Sequence, residues 1–260
     1  MAVGGVVGLI AVIAALVIAK LVQSDSAPAP ARPSGRAPVA VVQKVTTVPA
    51  SLFNTIGYQP GVGGPTHIPG TPLRQGGKPL VVYVGAEFCP LCAAERWAMV
   101  AALARFGTFH NLGATHSSSI DSDPNTATFS FHKATYSSNY LALNTVELTT
   151  NQVVGGRYKL LEKPTALEQR LSQKYDPNSI PFVYMGNYII TSASYTPDIL
   201  QGLTMPQIAT AMRDPSTSIS QAILGTANNI TAAICTQTGG NPADVCSSSG
   251  VAAAAKHLPT

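Results

Sequence analysis

The sequence predicts an α/β fold, a sheet flanked by helices, preceded by an N-terminal transmembrane helix. Three observations carry that expectation. The β-branched, apolar run Leu80 to Gly85 passes within a few residues to the strong helix formers of Ala93 to Phe106, closed by Gly107, so a buried strand hands over to a helix. A proline-led pair of short strands, Ser179 to Ile190, is joined at Met185-Gly186-Asn187, a tight-turn composition. Val3 to Leu21 is built of Val, Ile, Leu, Ala and Gly, with Lys20 its single charge. That is about the length of roughly 20 residues needed to cross the hydrocarbon core.

Taken in order, residues 3–22 are expected to be an uncleaved anchor, because a secretory leader would carry a basic start before its apolar core. Ser26-Ala27-Pro28-Ala29 imitates a cleavage site and leaves removal open. Residues 24–48 read as a Pro/Ala-rich linker and lead-in: the Ala-Pro steps favour an extended, solvated spacer, and Val39 to Val48 is strand-prone. Residues 49–225 hold the main domain. Pro49 to Ile56 predicts a short helix, and Gly57 to Gly77 a Gly/Pro-rich loop with a hairpin near Thr66 to Ile68. After the Ala93–Phe106 helix, Phe109 to Ser117 suits the next strand of the sheet. Strand-like alternation in Thr126 to Tyr136 and Tyr140 to Leu148 falls in a stretch, about 118–156, read as an insertion. Thr165 to Tyr175, Met205 to Met212 and Ile219 to Cys235 predict helices. Residues 226–260 read as a disulfide-stapled segment and a frayed, Ala-rich tail from Ser247.

Chemistry concentrates at Cys89-Pro90-Leu91-Cys92, where the strand gives way to the helix. Two thiols on a helix's first turn are close enough to bond, and the unpaired N–H groups there stabilise a thiolate on Cys89. Thiol–disulfide exchange needs one activated sulfur and a second to resolve the mixed disulfide. Strand, Cys-x-x-Cys and helix in that order are the entry to a thioredoxin-like βαβ unit. An inert disulfide and half of a zinc site are the alternatives; no second Cys-x-x-Cys or His-x-x-x-His supplies further ligands. Ile180-Pro181 opens a strand, where a proline often marks a cis bond. In thioredoxin-like proteins such a proline faces the active disulfide, and the residue before it offers its backbone to substrate. On that resemblance Ile180, Pro181, Pro90 and Leu91 would line the substrate groove.

Cys235 and Cys246 bracket a Gly/Asn/Pro-rich loop that closes easily, the pattern of a structural disulfide in an oxidising compartment; two free thiols are the alternative. Lys20, Arg32 and Arg36 follow the apolar segment and would place the domain in the cytoplasm. The cysteine pattern outweighs so few charges, so the expected location is the cell membrane, single-pass, with the domain extracytoplasmic. Only 11% of residues are charged, and the net charge of +4 forms no basic run, which removes support for nucleic-acid binding. The five histidines show no paired ligand spacing, and no metal site is assigned. Copper delivery by the cysteines with His110 or His116 is a lesser alternative. Trp97 reads as core packing.

Ala86-Glu87-Phe88-Cys89 through Trp97, Leu103 to Phe109, Asp123 to Phe131, Tyr136 to Tyr140 and Ser179 to Phe182 together resemble DUF929, a membrane-anchored, thioredoxin-like family of unknown function. The resemblance implies a fold and a candidate site, with no activity attached. Thioredoxin's buried aspartate on the preceding strand falls on Tyr83, and its central Gly-Pro is Pro90-Leu91 here. The expected function is a membrane-tethered, extracytoplasmic thiol–disulfide oxidoreductase with Cys89 as nucleophile and Cys92 as resolving thiol. It would need no bound cofactor and would act on protein thiols or disulfides with a membrane redox partner. The alternative is a non-catalytic binding or scaffold module whose Cys89–Cys92 bond is structural.

Overall fold

The apolar run at 78–85 forms the central strand, Lys78–Gly85, of a six-stranded sheet in the computed structural model, which describes residues 34–260. Successive side chains of a strand point to opposite faces. Val81 and Tyr83 accordingly join a core with the Pro90–Leu103 and Ser218–Gln237 helices. Leu80, Val82 and Val84 pack with Phe182, Tyr184 and Leu171, the last from the Ala166–Tyr175 helix on the other face. Both faces are covered, which is why the strand reads as a continuous apolar run.

Phe182–Met185 lies antiparallel to the central strand, Phe182 opposite Val84, and returns through Gly186-Asn187 into Tyr188–Ile190. Gly186 takes φ 69°, which this two-residue turn requires and a side chain would resist. Ala142–Glu147 runs parallel to the central strand, with Val146 opposite Val84. Thr66–His67 and Arg74–Gln75 complete the sheet.

The expectation of one thioredoxin-like sheet with a single insertion and a transmembrane helix is corrected here. The described residues form a mixed α/β fold, with their strands divided among four sheets. Among the described residues no helix is long and apolar enough to cross a membrane, and the anchor expected at 3–22 lies outside them. The parallel neighbour of the central strand comes from inside the 118–156 stretch read as an insertion. Phe109 to Ser117 instead contributes to Gly107–His110, paired with Thr135–Ser138, and to Gly113–His116, paired with Gly35–Arg36 and Ala127–Ser130. Alternation identifies a strand without naming its partner.

Four further expectations change. Val39 to Val48 is helical over Val39–Thr46, because Val41 and Val45, one turn apart, bury one face against the Met205–Ala211 helix. Packing overrides the strand preference of valine. Thr66–His67 forms no hairpin and pairs with Tyr188–Ile190. The boundary at 225/226 falls inside the continuous Ser218–Gln237 helix. The tail is ordered as the Ser249–Ala255 helix, with Val251 and Ala254 buried and Asn54 accepting the Gly250 N–H.

Candidate functional site

Cys89 is the N-cap of the Pro90–Leu103 helix, with extended backbone, and Pro90 fills the first helical position, where an N–H would have no intrahelical partner. The Cys92 N–H donates to Cys89 Sγ at 3.2 Å, and the Cys89 thiol faces the Ile180 carbonyl oxygen at 3.6 Å. A hydrogen bond from the Cys92 thiol, helped by the N–H groups of Cys92 and Leu91 and by the charge of Arg96, holds the Cys89 thiol below its ordinary pKa despite burial. Cys92 goes the opposite way: burial first, then its hydrogen bond to Cys89 and that neighbour's charge, push it well up. Exposure follows the same asymmetry, with 5% of the Cys89 surface open and none of Cys92.

Arg96, one turn beyond Cys92, is fully buried and forks onto Glu147: Nε to Oε1 at 2.9 Å and Nη2 to Oε2 at 2.8 Å. Its Nη2 also donates to the Ala86 carbonyl at 2.7 Å, the same oxygen that accepts the Cys89 N–H. Glu147 Oε1 takes the Phe131 N–H as well. The Tyr83 ring lies 5.9 Å from the guanidinium carbon. Its buried hydroxyl has no hydrogen-bond partner among the described residues and fills the space above Gly85, where a Cβ would collide with it. Glu87, also buried, accepts from the hydroxyls of Ser34 and Ser130. On the same helix Glu95 accepts the Ser194 N–H through Oε2, while its Oε1 has no hydrogen-bond partner among the described residues.

Of the residues assigned from sequence, Cys89, Cys92 and Ile180 come together, and Ile180–Pro181 is a cis peptide. Pro181 and Pro90 are buried and Ile180 is half-buried. Leu91 instead lines a cleft of about 620 Å³ with Val62, Tyr195, Ile199 and Ala222, to which Ile180 and Pro181 do not contribute. Cys235 and Cys246 are disulfide-bonded and tie the end of the Ser218–Gln237 helix to the Ala243–Cys246 turn. Trp97 is fully buried, donating to the Ala127 carbonyl. The His110 ring contacts the Ser137 hydroxyl. Among the described residues no group of three or more His, Cys, Asp and Glu side chains could hold a metal ion.

Sequence reasoning passed over Arg96, Glu147 and Glu95. A signal was present: Glu95 and Arg96 interrupt a helix that is otherwise apolar, and a charge inside an all-round buried helix demands a partner. Residues 65–236 match a family described as "Domain of unknown function (DUF929)". No curated protein matches the chain, and no solved structure does.

Proposed function

The chain belongs to the DUF929 family, whose description assigns no activity, and we propose that its reaction is thiol–disulfide exchange through Cys89 and Cys92. The observation that carries this reading is the opposite polarisation of two thiols one helical turn apart. Cys89 is eased toward thiolate at the helix N-terminus, and Cys92 is held as a thiol beneath it. Only the thiolate is nucleophilic, so Cys89 attacks or is attacked. The mixed disulfide forms on Cys89, and Cys92 displaces the partner by attacking Cys89 Sγ, a step for which it must first lose its proton. The Ile180 carbonyl, 3.6 Å from the sulfur, orients the thiol at the mouth of the site.

The substrates are protein thiols or disulfides, and turnover requires a separate redox partner to reset the pair. The Cys235–Cys246 bond favours an oxidising compartment, hence an extracytoplasmic domain. Changing Cys89 to Ser is expected to abolish exchange, whereas Cys92→Ser should accumulate covalent complexes that dithiothreitol releases. Exchange at wild-type rate by the Cys89→Ser protein would reject the assignment. One observation favours a second reading, a non-catalytic binding module: both cysteines, unbonded thiols in this structure, are buried.

A further inference from the structure

A buried ion pair is a costly device. Desolvation of the two charges commonly cancels their attraction, and apolar side chains of similar volume often stabilise a core better. The Arg96–Glu147 pair is wholly buried, with Arg96 one turn beyond Cys92 on the same helix. Its guanidinium is fixed by three hydrogen bonds, two to Glu147 and one to the Ala86 carbonyl that also receives the Cys89 N–H. The cation is therefore registered to the nucleophile's own backbone. Its third nitrogen, Nη1, has no hydrogen-bond partner among the described residues, and neither has the Tyr83 hydroxyl, the other polar group facing the cysteines from the central strand. Glu87, the next carboxylate, is occupied by Ser34 and Ser130.

We propose that Arg96, anchored by Glu147, is the positioning residue that stabilises the thiolate of the Cys89–Cys92 pair, and that the protein is thereby biased to donate its disulfide and oxidise substrate dithiols. This rests on the exchange reading above and adds its direction. A fixed cation stabilises the reduced, thiolate-bearing state and leaves the neutral disulfide unaffected, which makes the disulfide the stronger oxidant. The charge of Arg96 acts in this sense on both sulfurs. In the forward step a substrate thiolate attacks Cys89 Sγ of the internal disulfide. The Cys89–Cys92 bond breaks, and Cys92 leaves and takes up a proton. The second substrate thiol, losing its proton, then attacks the substrate sulfur of the mixed disulfide and expels Cys89 as thiolate. Two electrons pass to the protein and the substrate departs as a disulfide. A second, more oxidising disulfide restores the pair.

The test uses the 260-residue chain, with two readouts: the pH midpoint for iodoacetamide alkylation of Cys89, and the equilibrium between dithiol and disulfide in glutathione buffers. In Arg96→Met/Glu147→Gln, which removes the pair without stranding a charge, the midpoint should rise by about one pH unit and the internal disulfide should become roughly tenfold more stable. Glu147→Gln alone leaves the cation uncompensated and should move both readouts the other way, and Arg96→Lys should keep the wild-type direction. A merely structural pair would not give opposite shifts. Folded variants with unchanged midpoint and equilibrium would overturn the proposal, as would a wild-type disulfide that persists in predominantly reduced glutathione. If the double variant does not fold, Glu147→Gln decides by itself, and no downward shift counts against the proposal. Failure of the wild-type protein to exchange at all is a separate outcome and refutes the underlying reading instead.

Discussion

Glu95 shows how a single buried side chain links the helix of the cysteines to its surroundings. One oxygen accepts the Ser194 N–H at 2.9 Å, the other has no hydrogen-bond partner among the described residues, and burial pushes the carboxyl up to about 7. The Ser194 hydrogen bonds pull it down and burial wins. A carboxyl raised on folding favours the native state at low pH, and that contribution is lost as pH rises from about 4.5 to about 7. Glu95→Gln keeps an acceptor for Ser194 and removes the ionisation. It is expected to abolish that fall and to raise stability at pH 8 by a few kcal/mol, since each tenfold change in proton affinity is worth about 1.4 kcal/mol. Urea unfolding at several pH values reads both effects, and equal pH slopes in the two proteins would refute them. Such residues were partly legible: a lone acid on an apolar helix announces a partner, but the partner, Ser194, is remote in sequence.

At the scale of elements, the strand, the cysteine turn, the following helix and the proline-led hairpin were readable because each is specified locally. The same holds for Ala166–Tyr175, legible from Leu167 and Leu171 one turn apart; the structure adds a reciprocal cap between Thr165 and Glu168 at its start. What could not be read was pairing. Ala142–Glu147 and Gly107–His110 are both short and strand-like, and only the three-dimensional core decides which lies beside Lys78–Gly85. The Val39–Thr46 helix was hidden by β-branched residues whose four-residue spacing mattered more than their type. The Cys235–Cys246 bond closes a short loop at the end of the Ser218–Gln237 helix, which packs on the helix of the cysteines. Replacing both cysteines by Ser should cost roughly 2–3 kcal/mol in denaturant unfolding. Exchange at Cys89 should survive. Loss of exchange in a folded variant would instead place that bond in the reaction.

Across the whole described unit, the central sheet divides two apolar cores, and the cysteines follow its central strand, at the start of a helix that packs into the larger core. Around Cys89 the molecule gathers elements from distant parts of the chain. Phe88 stacks on Tyr158 of the Arg157–Leu160 strand, Ser118 donates to the Phe88 carbonyl, and the Ile180 carbonyl closes the other flank. This frame leaves 5% of the Cys89 residue surface open and none of Cys92. A site so built suits a reaction in which a substrate sulfur meets Cys89 first and Cys92 acts only afterwards. The measurement that tests this most directly is the alkylation state of Cys89 and Cys92 across a graded series of glutathione redox buffers. The account expects the pair to switch between dithiol and disulfide within the range those buffers span. A pair that stays oxidised until strong reductant is added, or a Cys89 that never reacts with the alkylating agent while the protein is folded, would contradict it.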